Sequence, residues 1–595
     1  MRHKKNDRSD PSPPIRRRRF MQLTGGACAA TLLAGQPLPA QSADAPPADR
    51  PPSLDRDRLR ARNENRSTVV ARHGMVATSQ PLATMAGLDV LGAGGTAVDA
   101  AVAANAMLSL VEPMSCGPGG DLFAIVWSEK DRKLFGLNAS GRSPYDWSLD
   151  DARALGMKEI PAHSPLSWRV PGCVSGWGAL LERFGKLGLA RVLEAPIAYA
   201  REGFPVSPII ARSWGINPEK DRGLAAAFLR DGKPVRFGTV FTNPDLARFF
   251  DAIAQGGAAA FYQGEIAERI VRFSEATGGR FSMRDFRDHR ADWVEPVTSS
   301  YRGHDVWELP PNGQGIAALQ ILNVLENFDI GSLEPNSAEH LHLFLEAKKL
   351  AFEDRAVYYA DMDFADVPLA ELISKEYAKK RAARIDPRRA AQQVPAGRLR
   401  GSSDTIYLTA ADAQGNMVSL IQSIYYGWGS RYVPDGLGFA LQNRGQLFSL
   451  NPDDLNKLEP HKRPFHTIIP AFVTQGGRPR FSFGVMGGDF QPQGHAQVLM
   501  NLLDFGMSVQ QAGEQPRAAH LESSTPTGRR MQAGGSVGLE RGIPDAVRDQ
   551  LAQLGHRIRP GHGAWGGYQG IWREDGPLRY FGGSDPRKDG CAMGY

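Results

Sequence analysis

Between residues 404 and 424 the side chains alternate. Thr405, Tyr407 and Thr409 are interleaved with Ile406, Leu408 and Ala410, a period of two carried by β-branched and aromatic residues, which predicts a strand starting at Thr405. Asp412 to Asn416 supplies turn chemistry, and residues 417–424 run back as a second strand. Pairing Ala411 with Met417 places Ser423 opposite Thr405, with both hydroxyls on one face. A slip of one residue separates them, and the pattern alone leaves the register open.

The same reading extends along the chain. Residues 75–80 read as a strand, 82–91 as a helix closed by the turn Gly92-Ala93-Gly94-Gly95, and 97–111 as an alanine-rich helix able to pack closely on a sheet. Strands are expected at 123–126 and 134–137, flanking a turn at Lys130 to Arg132. From 176 to 387 the pattern is mostly helical. Its clearest start is Asn336 with Glu339, a capping-box pair opening a helix that shows Leu343, Ala347, Leu350 and Ala351 along one stripe. After the hairpin, strands are expected at 472–474 and 481–485 and helices at 497–503 and 544–554. Helices segregated around antiparallel strands imply an α+β fold of two stacked sheets covered by helices.

Composition changes this picture little. A chain of 595 residues with 42% hydrophobic content has ample material for a core. The formal charge is +6, but the first 45 residues hold eight Lys/Arg against three Asp, so the remainder is near +1 and nucleic acid is not implied. IRRRRFMQLTGGACAATLLAGQPLPAQSADA (15–45) has a basic start, a short, mildly apolar middle and small residues near its end. It resembles a twin-arginine export signal, with Arg17 and Arg18 as the pair and Phe20 following, and its apolar part is too short for a permanent membrane span. The expected organisation is a leader at 1–45 that uses the twin-arginine machinery, a solvated spacer at 46–67, a folded part beyond, and a periplasmic location. No membrane span is expected after the leader.

Cys28 belongs to the leader. Cys116, Cys173 and Cys591 are an odd number in apolar or Gly-rich settings and no CxxC occurs, so neither a disulfide framework nor a zinc site is expected. A catalytic role for Cys116 or Cys173 stays open beside plain core packing. His340 and His342 face apart on a helix, so no metal is expected from them. No cofactor is implied.

A threonine can act as a nucleophile when its own α-amino group serves as base, which requires Thr405 to become a chain terminus by cleavage after Asp404. Alone, Asp-Thr at a strand start is ordinary hairpin surface. Five further stretches give it company: PLATMAGLDVLGAGGTAVDAAVAANAMLSLVEPMSCGPGGDLFAIVW (81–127), SWRVPGCVSGWGALLERFGKLGLARVLEAPIAYAREGFPVS (167–207), WVEPVTSSYRGHDVWELPPNGQGIAALQILNVLENFDI (293–330), GVMGGDFQPQGHAQVL (484–499) and GGSDPRKDG (582–590). With DTIYLTAADAQGNMVSLIQS (404–423), they resemble the γ-glutamyltransferase family of N-terminal-nucleophile hydrolases over roughly residues 68–595.

That resemblance implies a four-layer αββα sandwich and a precursor that cuts itself between Asp404 and Thr405, leaving a large subunit (68–404) and a small one (405–595) folded together. It also implies a small-molecule amide substrate. Thr405 is then the nucleophile, Ser423 the hydroxyl that hydrogen-bonds it, and Gly487-Gly488 the oxyanion-binding pair. The substrate pocket departs from the family pattern. Arg142 stands for the arginine that holds an α-carboxylate, with altered spacing; His466-Thr467 replaces a Ser-Ser pair; Tyr425 stands at an Asn position, and Leu447 at the position of the Asp that holds the α-amino group. SLIQSIYYGWGS, LQNRG, KRPFHTIIPA and GGDFQPQ are more similar to the branch with oxamate amidohydrolase and cephalosporin acylase-like members, which makes Arg142, Arg444 and His466 candidates for holding a substrate carboxylate. Tyr425, Tyr426 and Trp428 form either an aromatic wall or core. The expected activity is cleavage of a small carboxylated amide through an acyl-threonine. A true glutathione hydrolase and transpeptidase is the first alternative, and a non-catalytic periplasmic binding protein the second.

Overall fold

The computed structural model describes residues 66–393, 397–398 and 405–595. The expected leader and all but the last two residues of the expected spacer lie outside them, as does Asp404.

The hairpin is the centre of a seven-stranded antiparallel sheet, in spatial order Cys591–Gly594, Gly74–Thr78, Ile406–Asp412, Met417–Ser423, Asp121–Ser128, Lys133–Ala139 and Asp292–Val294. A second seven-stranded antiparallel sheet runs Val69–Ala71, Arg579–Ser584, Tyr568–Glu574, Arg478–Val485, Ala471–Gln475, His304–Glu308 and Val297–Tyr301. The period of two explains how they stack. Tyr407, Ala411, Met417 and Ile421 join Phe123, Phe472, Ile571 and Tyr580 in a cluster between the sheets. Ile406, Leu408, Ala410, Val418 and Leu420 point the other way, into the apolar layer formed with helices Ala97–Val111 and Cys173–Phe184. On the outer face of the second sheet lie helices Gly315–Leu325, Ala338–Tyr358 and Gln491–Leu503. The result is the expected helix–sheet–sheet–helix sandwich.

The hairpin register pairs Ala411 with Met417 and Ile406 with Gln422. Its turn is built by Asp412, whose carboxylate accepts hydrogen bonds from the backbone of Gln414 and Asn416 at 3.0 Å each and from the backbone of Ala97 at 2.9 Å. One side chain therefore closes the turn and satisfies a free N–H at the start of helix Ala97–Val111.

The stretch 176–387 is mostly helical, as expected, and it also holds the short strands Phe204–Pro205, Val240–Phe241, Asp292–Val294, Val297–Tyr301 and His304–Glu308. The last two are joined at Arg302 (φ 48°) and Gly303 (φ 76°), a left-handed pair without the Asn or Asp that usually marks such a hairpin. The long helix is capped by Ser337, whose hydroxyl accepts from the His340 N–H at 3.2 Å, rather than by Asn336, which sits one residue earlier at φ 61°. The Leu343, Ala347, Leu350 and Ala351 stripe is buried as expected, and the other faces of this helix are largely buried as well. Among the described residues no helix is long and apolar enough to cross a membrane.

Gly120 lies where a Cβ would stand 2.3 Å from the Ser423 carbonyl oxygen and 2.7 Å from Gln422 Nε2. Overpacking at such a contact costs typically about 3 kcal/mol or less, occasionally more. Gly120→Ala is therefore expected to lower unfolding free energy by about 3 kcal/mol in a denaturant titration; a loss under about 0.5 kcal/mol, the ordinary size for a surface substitution, would contradict this packing.

Candidate active site

Thr405 is fully buried immediately before strand Ile406–Asp412, and its Oγ1 donates to Ser423 Oγ at 3.3 Å. Ser423 Oγ also accepts the Tyr425 N–H at 2.8 Å. Tyr425 itself leaves the strand at φ 80°. The observed Ala411–Met417 pairing thus settles the register that the alternation left open and brings the two hydroxyls together on one face.

Gly487 and Gly488 form a sharp turn at φ 119° and 56°, both in the left-handed region where glycine alone is unstrained. The turn leads directly into helix Gln491–Leu503. It is braced from behind: Gln314 Nε2 donates to the Gly488 carbonyl at 2.8 Å and to the Thr467 carbonyl at 2.6 Å. Arg355 Nη1 in turn donates to Gln314 Oε1 at 2.5 Å and to Asp489 Oδ1 at 2.6 Å.

Arg444 is fully buried, and its Nη1 donates to Thr467 Oγ1 at 2.5 Å while its guanidinium lies 4.4 Å from the Tyr425 ring centroid. Its Nε and Nη2 are buried with no hydrogen-bond partner, and no described carboxylate lies within ion-pair distance. Burial lowers the guanidinium to about 10, opposed chiefly by Asp121, so it is charged at neutral pH. A buried cation with two idle donors is a ready seat for a carboxylate.

The other expected pocket residues are placed differently. Arg142 is already committed, at 2.8 Å to Asp363, 3.3 Å to Asp361 and 3.7 Å to Asp292. His466 has both ring nitrogens engaged: Nδ1 faces the Ile468 N–H at 3.3 Å and must accept, so Nε2 carries the proton and donates to Asp121 Oδ2 at 3.0 Å. Burial, helped by Arg444, lowers His466 to about 4, so it is neutral and offers no charge to a substrate. Tyr425 stacks on Tyr426 at 4.5 Å and packs, like Leu447, in the apolar layer beneath the second sheet, whereas Trp428 packs on Trp214 and Phe228 on the far side. Burial raises the Cys173 thiol well above its usual range, which makes it a poor nucleophile.

Sequence reasoning missed Asp121, Gln314, Arg355 and Asp489. Asp121 had a signal, an acidic residue opening the otherwise apolar run LFAIVW. It also missed a grouping of His342, Glu346 and His556, whose ligand atoms lie within 4.8 Å of one another. There the Lys349 ammonium already holds Glu346 Oε1 at 2.7 Å and His342 Nδ1 meets His556 Nε2 at 2.8 Å, so the group is closed on itself and fits a metal ion poorly.

With this geometry in view, comparisons with known proteins agree. The family model described as Gamma-glutamyltranspeptidase matches residues 83–595. The Glutathione hydrolase-like YwrD proenzyme of Bacillus subtilis (strain 168) is 38% identical over 543 residues, covering 89% of this chain and 99% of the relative. The Oxamate amidohydrolase proenzyme of Klebsiella pneumoniae is 33% identical over 543 residues, covering 89% and 100%. Among solved structures, a cephalosporin acylase from Bacillus halodurans superposes with a TM-score of 0.83 at 39% identity, covering 90% of this chain and 98% of that one.

The buried histidines set a pH dependence. His466 is lowered to about 4 and His495 to about 3, both by burial, from 6.5 in the unfolded chain. As pH falls below about 6.5 the unfolded chain binds protons that the folded chain refuses, so stability present at pH 7 is lost between 6.5 and 4. His466→Gln, which keeps an N–H for Asp121 but cannot titrate, is expected to show a shallower fall in Tm from pH 7 to 4.5. Parallel curves for the two proteins would contradict a neutral, buried His466.

Proposed function

The chain belongs to the gamma-glutamyltranspeptidase family and is a γ-glutamyltransferase-like amide hydrolase, and on that premise we propose that it matures by cutting itself before Thr405 and then cleaves a small carboxylated amide. Its relatives are named as proenzymes, which supports self-processing. Thr405 Oγ1 attacks the Asp404 carbonyl and gives up its proton, the peptide bond to the Thr405 nitrogen breaks and that nitrogen takes a proton to become the free α-amine, and water then hydrolyses the resulting ester, releasing the Asp404 carboxylate and the Thr405 hydroxyl. In each later turnover the α-amine takes the Oγ1 proton as Thr405 attacks the substrate amide and passes it to the departing amine; water then releases the acid from the acyl-threonine. Ser423 Oγ, held by the Tyr425 N–H, orients the nucleophile. The Gly487-Gly488 turn supplies backbone N–H groups where negative charge develops, each worth about 10²- to 10³-fold in rate.

The observation that carries the substrate class is Arg444, buried with two unpartnered donors, beside an apolar Leu447 where the family places an acid. A carboxylate fills the first; an ammonium group would find no counter-charge at the second, a loss of several kcal/mol when buried. The acyl group is therefore one with a carboxylate and no α-amine, such as glutaryl or an oxamate-type acid. We also propose that residues 1–45 direct the folded precursor to the periplasm through the twin-arginine machinery.

The test compares glutaryl-p-nitroanilide and oxamate-type amides with γ-glutamyl-p-nitroanilide on the processed enzyme. Faster turnover of the carboxylated amides is expected. Arg444→Met should cut their kcat/KM by roughly 10- to 100-fold, the size of a lost charge-assisted hydrogen bond. Robust turnover of the γ-glutamyl compound alone would overturn the substrate reading in favour of a glutathione hydrolase.

A further inference from the structure

Asp121 opens strand Asp121–Ser128 directly across the ladder from Ser423, and it is fully buried. Its Oδ1 accepts the Gly141 N–H and Gln442 Nε2, both at 2.8 Å, and its Oδ2 accepts His466 Nε2 at 3.0 Å. None of the described arginines or lysines pairs with it. Such a carboxylate, buried with neutral donors only, is costly to keep unless its placement does something else.

Its partners show what that is. Gln442 stands two residues before Arg444, and His466 one residue before Thr467. Arg444 and Thr467 are the two halves of the guanidinium seat, joined at 2.5 Å. The loop after strand Met417–Ser423 and the segment before strand Ala471–Gln475 are thus pinned to one anion, from opposite sides of the seat. Asp121 is also the charge that does most to offset the burial of the Arg444 guanidinium. The tautomer of His466 follows from the same contact, and a protonated ring is unnecessary for it.

We propose that Asp121 is a positioning residue for the substrate carboxylate. It sets the two loops so that Arg444 Nε and Nη2 face the acyl group, without touching substrate itself. The inference rests on the reading of Arg444 as the carboxylate seat. It adds that acyl selectivity is fixed from a strand that lies behind the site. Replacing the carboxylate with an amide sets an NH₂ group against one of three donors, which displaces one of the two loops.

The experiment measures kcat and KM on processed wild type, Asp121→Asn and Gln442→Met, with glutaryl-p-nitroanilide and its carboxylate-free counterpart valeryl-p-nitroanilide. In Asp121→Asn, KM for the glutaryl compound is expected to rise roughly tenfold or more while kcat stays within about threefold, the pattern of lost uniform binding. The valeryl constants are expected to stay near wild type. Gln442→Met, which removes one donor and leaves the carboxylate, is expected to shift the glutaryl KM in the same direction by less, and it decides the matter if Asp121→Asn does not fold or process. Equal losses on both substrates, or an unchanged glutaryl KM, would overturn the positioning role. A wild type that does not prefer glutaryl over valeryl would instead overturn the Arg444 reading beneath it.

Discussion

The constraint on which the rest depends is the register of one hairpin. With Ala411 opposite Met417, Thr405 and Ser423 meet on the face that looks toward the second sheet; a slip of one residue in either strand would leave the two hydroxyls on opposite faces. Three features hold that register. Tyr407, Ala411, Met417 and Ile421 are fully buried between the sheets, so a slip would exchange them for the opposite face. Thr409 Oγ1 meets Ser482 Oγ at 2.7 Å across the sheets, and Tyr407 hydroxyl meets Ser419 Oγ at 2.8 Å across the hairpin. Asp412 fixes the turn and ties it to the start of the helix behind.

Around this frame the site is assembled from buried charge whose pairing is uneven by design of the packing. Arg355 and Asp489 neutralise one another at 2.6 Å, which braces the glycine turn without adding net charge. Asp121 is surrounded by neutral donors, and Arg444 by a hydroxyl and an aromatic face. An arginine left with idle donors in a dry place raises the value of any carboxylate that arrives, because neither partner then has to be taken from a competing ion pair. Arg142 shows the opposite case: three aspartates around it leave nothing to offer.

What the sequence made legible follows the range of the forces involved. The hairpin, its register option and the helix 97–111 come from local alternation and composition, and the structure keeps them nearly residue for residue. The helix cap moved from Asn336 to Ser337 because adjacent residues both carry cap-capable side chains and only backbone geometry chooses between them. The strands at 292–308 were hidden by a left-handed Arg302-Gly303 turn that no Asn or Asp announces. Resemblance supplied the glycine turn and the proposed nucleophile. Neither pattern nor resemblance could show that His466 is spent on Asp121, 345 positions away, or that Arg142 is spent on Asp361 and Asp363, since those pairings exist only once the sheets have closed.

The account stands on Thr405 becoming a chain terminus. Its most direct test is the intact mass of the purified protein with N-terminal sequencing of any smaller chain. Two chains are predicted, the smaller beginning Thr405-Ile406-Tyr407, with Thr405→Ala remaining whole. A wild-type chain that stays unbroken through long incubation would contradict the account and leave the buried hydroxyl pair without a catalytic role.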